Sequence, residues 1–188
     1  MTTSPGDGKR IGVYDLQPAA YRPYDPRYPE VASLVASMIR DDMPSVRVEH
    51  IGSTAVPGCG GKGNVDLLLL YPTGELARAR DTLDAMGFQR WSGRDAFPEP
   101  RPVRIGTIEH DAVVFRLHVH VVAEDSAEVA EQLEFREALR ADSALVRTYE
   151  AHKREVIAAG ITYGPDYARA KETFIRSVKR LPNACETN

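Results

Sequence analysis

The sequence predicts an α/β protein of the α+β kind, with a small mixed, partly antiparallel sheet, helices on one face and a C-terminal helical cap. Three observations carry this. Residues 65–71 form an apolar run interrupted only by Asp66, the pattern of a strand covered on both faces. Residues 103–108 and 112–122 read as two further strands, and the short link Glu109-His110-Asp111 makes them a hairpin. From Val129 to Val178 the apolar residues recur at helical spacing.

In chain order, residues 1–10 are polar and rich in Gly, Ser and Pro, and are expected to be a flexible tail. Pro23, Pro26 and Pro29 fix an extended or turning lead-in, because each ring locks φ and restrains the residue before it. Val31, Leu34, Val35, Met38 and Ile39 share one helical face, and Pro44 ends that helix. Val46, Val48 and Ile51 alternate as a short strand. Residues 52–64 hold five glycines and Pro57, hence a loop with at most one helical turn. After the strand at 65–71 and the break at Pro72-Thr73-Gly74, Leu76, Ala79, Leu83 and Met86 predict a second helix that Gly87 closes. Residues 90–102 read as a loop and lead into the hairpin. Leu133, Leu139, Leu145, Val146, Tyr149, Val156 and Ile157 continue the helical spacing from Val129 until Gly160 interrupts it. A last helix is expected from Pro165-Asp166 to about Arg180, with Tyr167, Ala170, Phe174, Ile175 and Val178 on one side.

The 188 residues fit one domain, placed at 11–181 between the tails 1–10 and 182–188. A hydrophobic fraction of 43% beside 27% charged residues supports a packed core and excludes a disordered chain. The net charge of -3 makes nucleic acid an unexpected partner on bulk electrostatics. No apolar run is long enough to span a bilayer, and the N-terminus lacks the apolar core of a signal peptide. The two cysteines, Cys59 and Cys185, share no short spacing. They predict neither a disulfide framework nor a metal knuckle, and the expected location is the cytoplasm. Cys59 is either a nucleophile or a small loop residue, and the second reading is preferred because no base is fixed beside it.

The densest chemistry lies at Gly52-Ser53-Thr54. A glycine beside hydroxyl residues, just after a strand, lets backbone and hydroxyl groups approach a phosphate. Asp66, thirteen positions after Ser53, can hold a divalent cation against that phosphate. The bland alternative is that Gly52 shapes a turn and Asp66 caps a strand. His118 and His120 are two apart on a predicted strand and share a face. Beside Asp66 they would complete a His/His/Asp set suited to Zn, Mn, Fe or Ni rather than Mg, with His50 or Glu49 as a fourth ligand. Two other roles stay open for the pair: hydrogen bonding within the sheet face or to substrate, or general acid-base work.

The stretch Glu49-His50-Ile51-Gly52-Ser53-Thr54-Ala55-Val56-Pro57-Gly58, with Lys62 and Asp66 after it, resembles the signature of the GrpB (UPF0157-like) family. That family is placed in the nucleotidyltransferase superfamily with a polymerase-β-like palm. The likeness continues through Arg116 and His118-Val119-His120-Val121, Phe135-Arg136 and Leu139-Arg140, and then Tyr149, Lys153, Tyr167, Lys171 and Phe174.

The resemblance implies a nucleotidyltransferase-like fold and a nucleotide or other phosphorylated small molecule as ligand. It implies Asp66, Ser53, His118 and His120 as catalytic candidates, and Gly52, Ser53, Thr54, Lys62, Arg116, Tyr167 and Lys171 as substrate-binding ones. Asp66, His118 and His120 are the metal candidates, for Mg, Mn or a transition metal. A transition-metal enzyme acting on a small substrate is one alternative. A non-catalytic module, as in fusions of this domain to dephospho-CoA kinase, is another.

Two departures matter. Leu68 stands where the superfamily usually has a second carboxylate. Cys59-Gly60-Gly61 and Gly63-Asn64 replace a stiffer stretch, which is expected to loosen the loop. Among the other cations expected near the loops, Arg90, Arg94, Arg101 and Arg104, none is reached by the family pattern. Arg136, Arg140 and Lys153 read as surface helix residues. Trp91 is expected either to pack or to stack on a base.

Overall fold

The computed structural model describes residues 10–93 and 97–179. Residues 1–9 and 182–188 of the proposed tails, Cys185 and Arg94 therefore lie outside the described residues. The elements run α1 (Tyr28–Asp42), β1 (Arg47–Ile51), a 3-10 turn (Ser53–Ala55), β2 (Asn64–Tyr71), α2 (Leu76–Ala85), β3 (Gln89–Arg90), β4 (Val103–His110), β5 (Val113–Ala123), α3 (Ala127–Ala141), α4 (Ser143–Ala158) and α5 (Gly164–Lys179). The five strands form one sheet in the order β1-β2-β5-β4-β3. Only β2 and β5 pair in parallel; the remaining ladders are antiparallel. This is the mixed α+β sheet that the sequence predicts.

Two local expectations shift. The hairpin turn is the two-residue pair Asp111-Ala112, both left-handed at φ 50° and 57°, so β4 runs two residues further than Ile108. Tight two-residue turns need positive φ to match the twist of the strands. Gln89–Arg90, where the loop was expected to begin, instead adds a short edge strand to β4.

The sheet is covered unequally. Val65, Leu67, Leu69, Leu117, Val119 and Val121 pack against Val31, Val35 and Ile39 of α1 and Ala79 and Leu83 of α2. On the opposite face, Leu68, Leu70, Ile51 and Val122 pack under Val129 and Leu133 of α3. The rest of that face is the polar half carrying Asp66, His118 and His120. The cap has its own small core, where Phe135, Leu139, Val146, Tyr149 and Val178 close on Val56 and Cys59. Ser126 and Asp142 accept hydrogen bonds from the first-turn amides of α3 and α4, which sets where each helix begins.

The lead-in segment straps these layers together. Gly12 bridges Thr107 of β4, Ala19 donates to the Thr162 carbonyl ahead of α5, and Arg22 pairs with Gly61. The 52–64 loop is therefore held, against the expectation that its glycines loosen it. Gly60 donates to Glu150, while Lys153 hydrogen-bonds the Gly60 carbonyl. A Cβ on Gly60 would lie 2.2 Å from the Tyr21 hydroxyl, so this glycine is required by a close approach.

Arg104 is corrected from a loop cation to a buried one: it is 1% exposed and ion-paired to Asp84 of α2, on the face away from the histidines. Replacing Asp84 by Ala leaves that guanidinium without its partner. The expected loss is about 2–3 kcal/mol, below a fully enclosed pair because Asp84 is 35% exposed. Urea unfolding midpoints check this, and the double variant D84A/R104M is expected to recover much of the loss.

Candidate functional site

The parallel register of β2 and β5 sets Asp66 opposite His118 and Leu68 opposite His120. With period-2 alternation, Asp66, His118 and His120 share the half-open face. Asp66 Oδ1 lies 3.5 Å from His118 Nδ1 and 3.8 Å from His120 Nε2. One ligand atom from each of the three residues falls within 4.8 Å of the others. Gly52 makes this packing possible: at φ 71° it presses its backbone onto Asp66, and a Cβ there would stand 2.8 Å from Asp66 Oδ2.

The charge states suit metal ligation. Burial drives the His118 pKa down to about 3 despite the nearby Asp66 charge, so the ring is neutral at neutral pH. Burial raises the Asp66 pKa, but attraction to His120, His118 and Lys62 prevails and holds it at about 2. A neutral imidazole and an ionised carboxylate are the forms that bind metal.

The chemistry of the second layer provides a fit test. His118 Nε2 lies 2.9 Å from the Tyr14 hydroxyl and 3.1 Å from Asn64 Nδ2, while Asn64 Oδ1 is buried with no partner among the described residues. A half-turn of that amide puts its oxygen on His118 Nε2. This is the acceptor an imidazole needs when its other nitrogen binds a metal. The set therefore fits one divalent transition ion with nitrogen and oxygen ligands.

Above these residues opens a cleft of about 800 Å³, lined by Gly52, Ser53, Lys62, Trp91, Tyr167 and Lys171 among others. Lys62 Nζ stands 5.3 Å and Lys171 Nζ 4.8 Å from the centroid of the Tyr167 ring. Neither lysine has an ion-pair partner among the described residues. Burial, then the charge of Lys171, brings the Lys62 pKa down to about 8, with Asp66 opposing. Burial likewise lowers that of Lys171.

Other expected participants are placed elsewhere. The Thr54 hydroxyl is buried and donates to the Asn64 carbonyl, with His50 Nε2 at 3.0 Å. Thr54 thus braces the loop away from the cleft. His50 and Glu49 do not join the histidine pair: His50 contacts Thr54, and Glu49 receives Arg136. Arg116 donates to the Lys62 carbonyl and faces a neighbouring cavity. Arg101 pairs with Glu128, and Arg90 lies near Asp84 and Glu99 on the surface. Leu68 is fully buried in the apolar half of the face.

The helix cations are not idle surface groups. Arg136 donates to the His50 carbonyl and Arg140 to the Ala55 carbonyl, fastening α3 to the loop. Lys153 is 1% exposed, with Nζ 3.2 Å from Cys59 Sγ. Burial raises the Cys59 pKa more than Lys153 lowers it, so the thiol stays protonated inside the cap. Sequence reasoning missed Tyr14 altogether and noted Asn64 only as a departure from a pattern. Neither residue type, at its spacing, marks a site.

Comparison with known proteins matches this architecture. The family model for GrpB protein covers residues 18–180. A UPF0157 protein of Streptomyces coelicolor is 35% identical over 162 residues, 86% of this chain and 82% of that one. A UPF0157 protein of Pseudomonas aeruginosa is 30% identical over 92% of this chain and 71% of its own length. Among solved structures, the conserved protein GrpB from Enterococcus faecalis superposes with a TM-score of 0.66 at 24% identity, covering 86% of this chain and 95% of that one. GLD-2 in its complex with RNP-8 gives 0.55 at 12% identity, with 86% and 62% covered. Cid1 in complex with its short product ApU gives 0.51 at 13% identity, with 71% and 42% covered. The chain thus carries a nucleotidyltransferase-like fold, and it belongs to the GrpB family.

Proposed function

We propose that the cleft binds a nucleotide or other phosphorylated small molecule on a single divalent metal held by Asp66, His118 and His120, and that the protein acts as a nucleotidyltransferase-like enzyme at that phosphate. The observation that carries this is one of convergence: a carboxylate and two imidazoles meet below two lysines that make no direct ion pair among the described residues. Unpaired, partly buried cations cost desolvation energy, and a bound anion offsets that cost.

The metal, when bound, supplies Lewis-acid polarisation of a phosphoryl oxygen. The chain's own residues do the rest. Ser53, at the start of the 3-10 turn, offers its hydroxyl to a phosphate oxygen. Lys62 and Lys171 neutralise charge that develops at the phosphorus. Tyr167 fixes both ammonium groups over its ring, so they need not reorganise during reaction. Leu68 leaves the sheet without the second acid of two-metal phosphoryl transfer. The His/His/Asp set accordingly favours a transition ion over a pair of Mg ions.

Metal content and calorimetry test the first half. Purified protein is expected to take up one Zn, Mn, Fe or Ni per chain. Asp66→Asn is expected to weaken uptake by more than the roughly 10–100-fold typical of an outer-layer substitution. A chain that binds none of these ions overturns the metal assignment.

Calorimetry of the metal-loaded protein with ATP, GTP, CTP, UTP and simple phosphate esters tests the second half. Binding by at least one class is expected, weakened by Lys171→Gln. Silence with all of them defeats the phosphate reading.

The pH dependence has a definite sign. Lys62 attracts phosphate only while protonated, so affinity is highest below pH 8 and falls as pH rises through Lys62's pKa of about 8. For one proton the limit is about tenfold per pH unit. Lys62→Arg, which stays charged, is expected to flatten this fall.

A further inference from the structure

Beside the cleft lies a second cavity of about 420 Å³, between the lead-in segment, β5 and the start of α5. Lys62, Asn64, Trp91, His118 and Gly164 line both cavities, so the two are lobes of one hollow. Their linings differ in charge. The cleft contains Asp66, Glu128, Glu131 and Glu172, whereas the second lobe has no carboxylate among its described lining residues.

Three features of the second lobe concern hydrogen-bonding groups. Arg116 is half-buried, spends one nitrogen on the Lys62 carbonyl, and has no ion-pair partner among the described residues. Asn64 is 5% exposed and uses one amide atom on His118, leaving the other unpartnered. As placed, that free atom is the acceptor Oδ1; the half-turn that suits a metal-bound His118 exposes the amide nitrogen instead. Trp91 Nε1–H is also buried without a partner among the described residues. The remaining lining is largely apolar or flat, with Tyr14, Leu16, Pro18, Ala19 and the Trp91 ring. A guanidinium in a fixed fork suits carboxylate or phosphate oxygens in particular.

We infer that the second lobe is an anion subsite centred on Arg116, which takes a carboxylate or phosphate attached to a flat, apolar body that lies along Trp91. This deepens the proposed function and rests on it for the link between lobes: the ligand carries one phosphate over the metal and a second acidic group at Arg116. The anchor of the subsite, Arg116, is in place without the metal, whereas the Asn64 nitrogen turns to the subsite only in the metal-ligating arrangement.

The test uses two probes on metal-free protein, benzoate for a carboxylate and phenyl phosphate for a phosphate. Trp91 is the single tryptophan of the chain, so intrinsic fluorescence reports its surroundings directly. In the wild type, at least one probe is expected to change Trp91 emission and to move the Arg116 Nε–H resonance with the same midpoint. Arg116→Gln is expected to weaken that binding about tenfold or more, while Lys171→Gln leaves it within about twofold. The tighter probe decides between carboxylate and phosphate.

The resonance measurement needs no variant, so poor folding of R116Q does not shield the inference. An Arg116 resonance that stays fixed with both probes overturns it, as does unchanged binding by folded R116Q. Loss of phosphate binding in K171Q with the Arg116 response intact concerns the first lobe and supports two separate subsites. If the metal-loaded protein binds no nucleotide or ester yet Arg116 still responds, the proposed function fails and the subsite stands.

Discussion

Eight residues of β2 lie in parallel register with β5, from Asn64 opposite Arg116 to Tyr71 opposite Ala123. Everything of functional interest follows from that alignment. It places a carboxylate beside an imidazole on one sheet face, sets a second imidazole two residues on, and puts Asn64 and Arg116 at the same end. A slip of one residue would turn the polar side chains of the slipped strand toward α1 and α2, strand them in the apolar core and part the aspartate from the histidines. The register is held by the other face, where Val65, Leu67 and Leu69 interleave with Leu117, Val119 and Val121 under two helices. Hydrophobic burial on one side therefore fixes the polar geometry on the other.

The same face is divided along its length. Leu68, Leu70 and Val122 are sealed by α3, while Asp66, His118 and His120 are left under a gap between the cap and the lead-in segment. The cap is not merely laid on the sheet. Arg136 reaches from α3 to the His50 carbonyl of β1 and Arg140 to the Ala55 carbonyl of the 52–64 loop, and Lys153 and Glu150 reach from α4 to Gly60. The glycines that lower the loop's intrinsic stiffness are also what let Tyr21, Arg22 and Tyr28 approach it. The loop is ordered by its neighbours, at positions where a Cβ would collide with them.

The electrostatic pattern is consistent with this division. Away from the cleft, cations are matched by carboxylates in pairs such as Arg104 and Asp84 or Arg27 and Asp25. Lys62, Lys171 and Arg116 are different. They are partly buried and face open volume without carboxylate partners among the described residues. Protein interiors seldom leave cations so placed unless an anion completes them.

The sequence by itself determined the element types, the mixed sheet, the family motif and the residues Asp66, His118 and His120, because alternation, helical spacing and turn chemistry are local properties. It also placed Lys62 and Lys171 among the binding candidates. It did not determine which hydroxyl faces the cleft, since Ser53 and Thr54 are adjacent and only packing turns Thr54 inward. Nor did it show that Arg104, on the strand beside Arg116, turns to the opposite face and is buried against Asp84. Tyr14, fifty residues before Asn64, joins the histidine only once the lead-in has crossed β4. Contacts between residues so far apart are set by the closure of the whole fold, and no short window of sequence carries them.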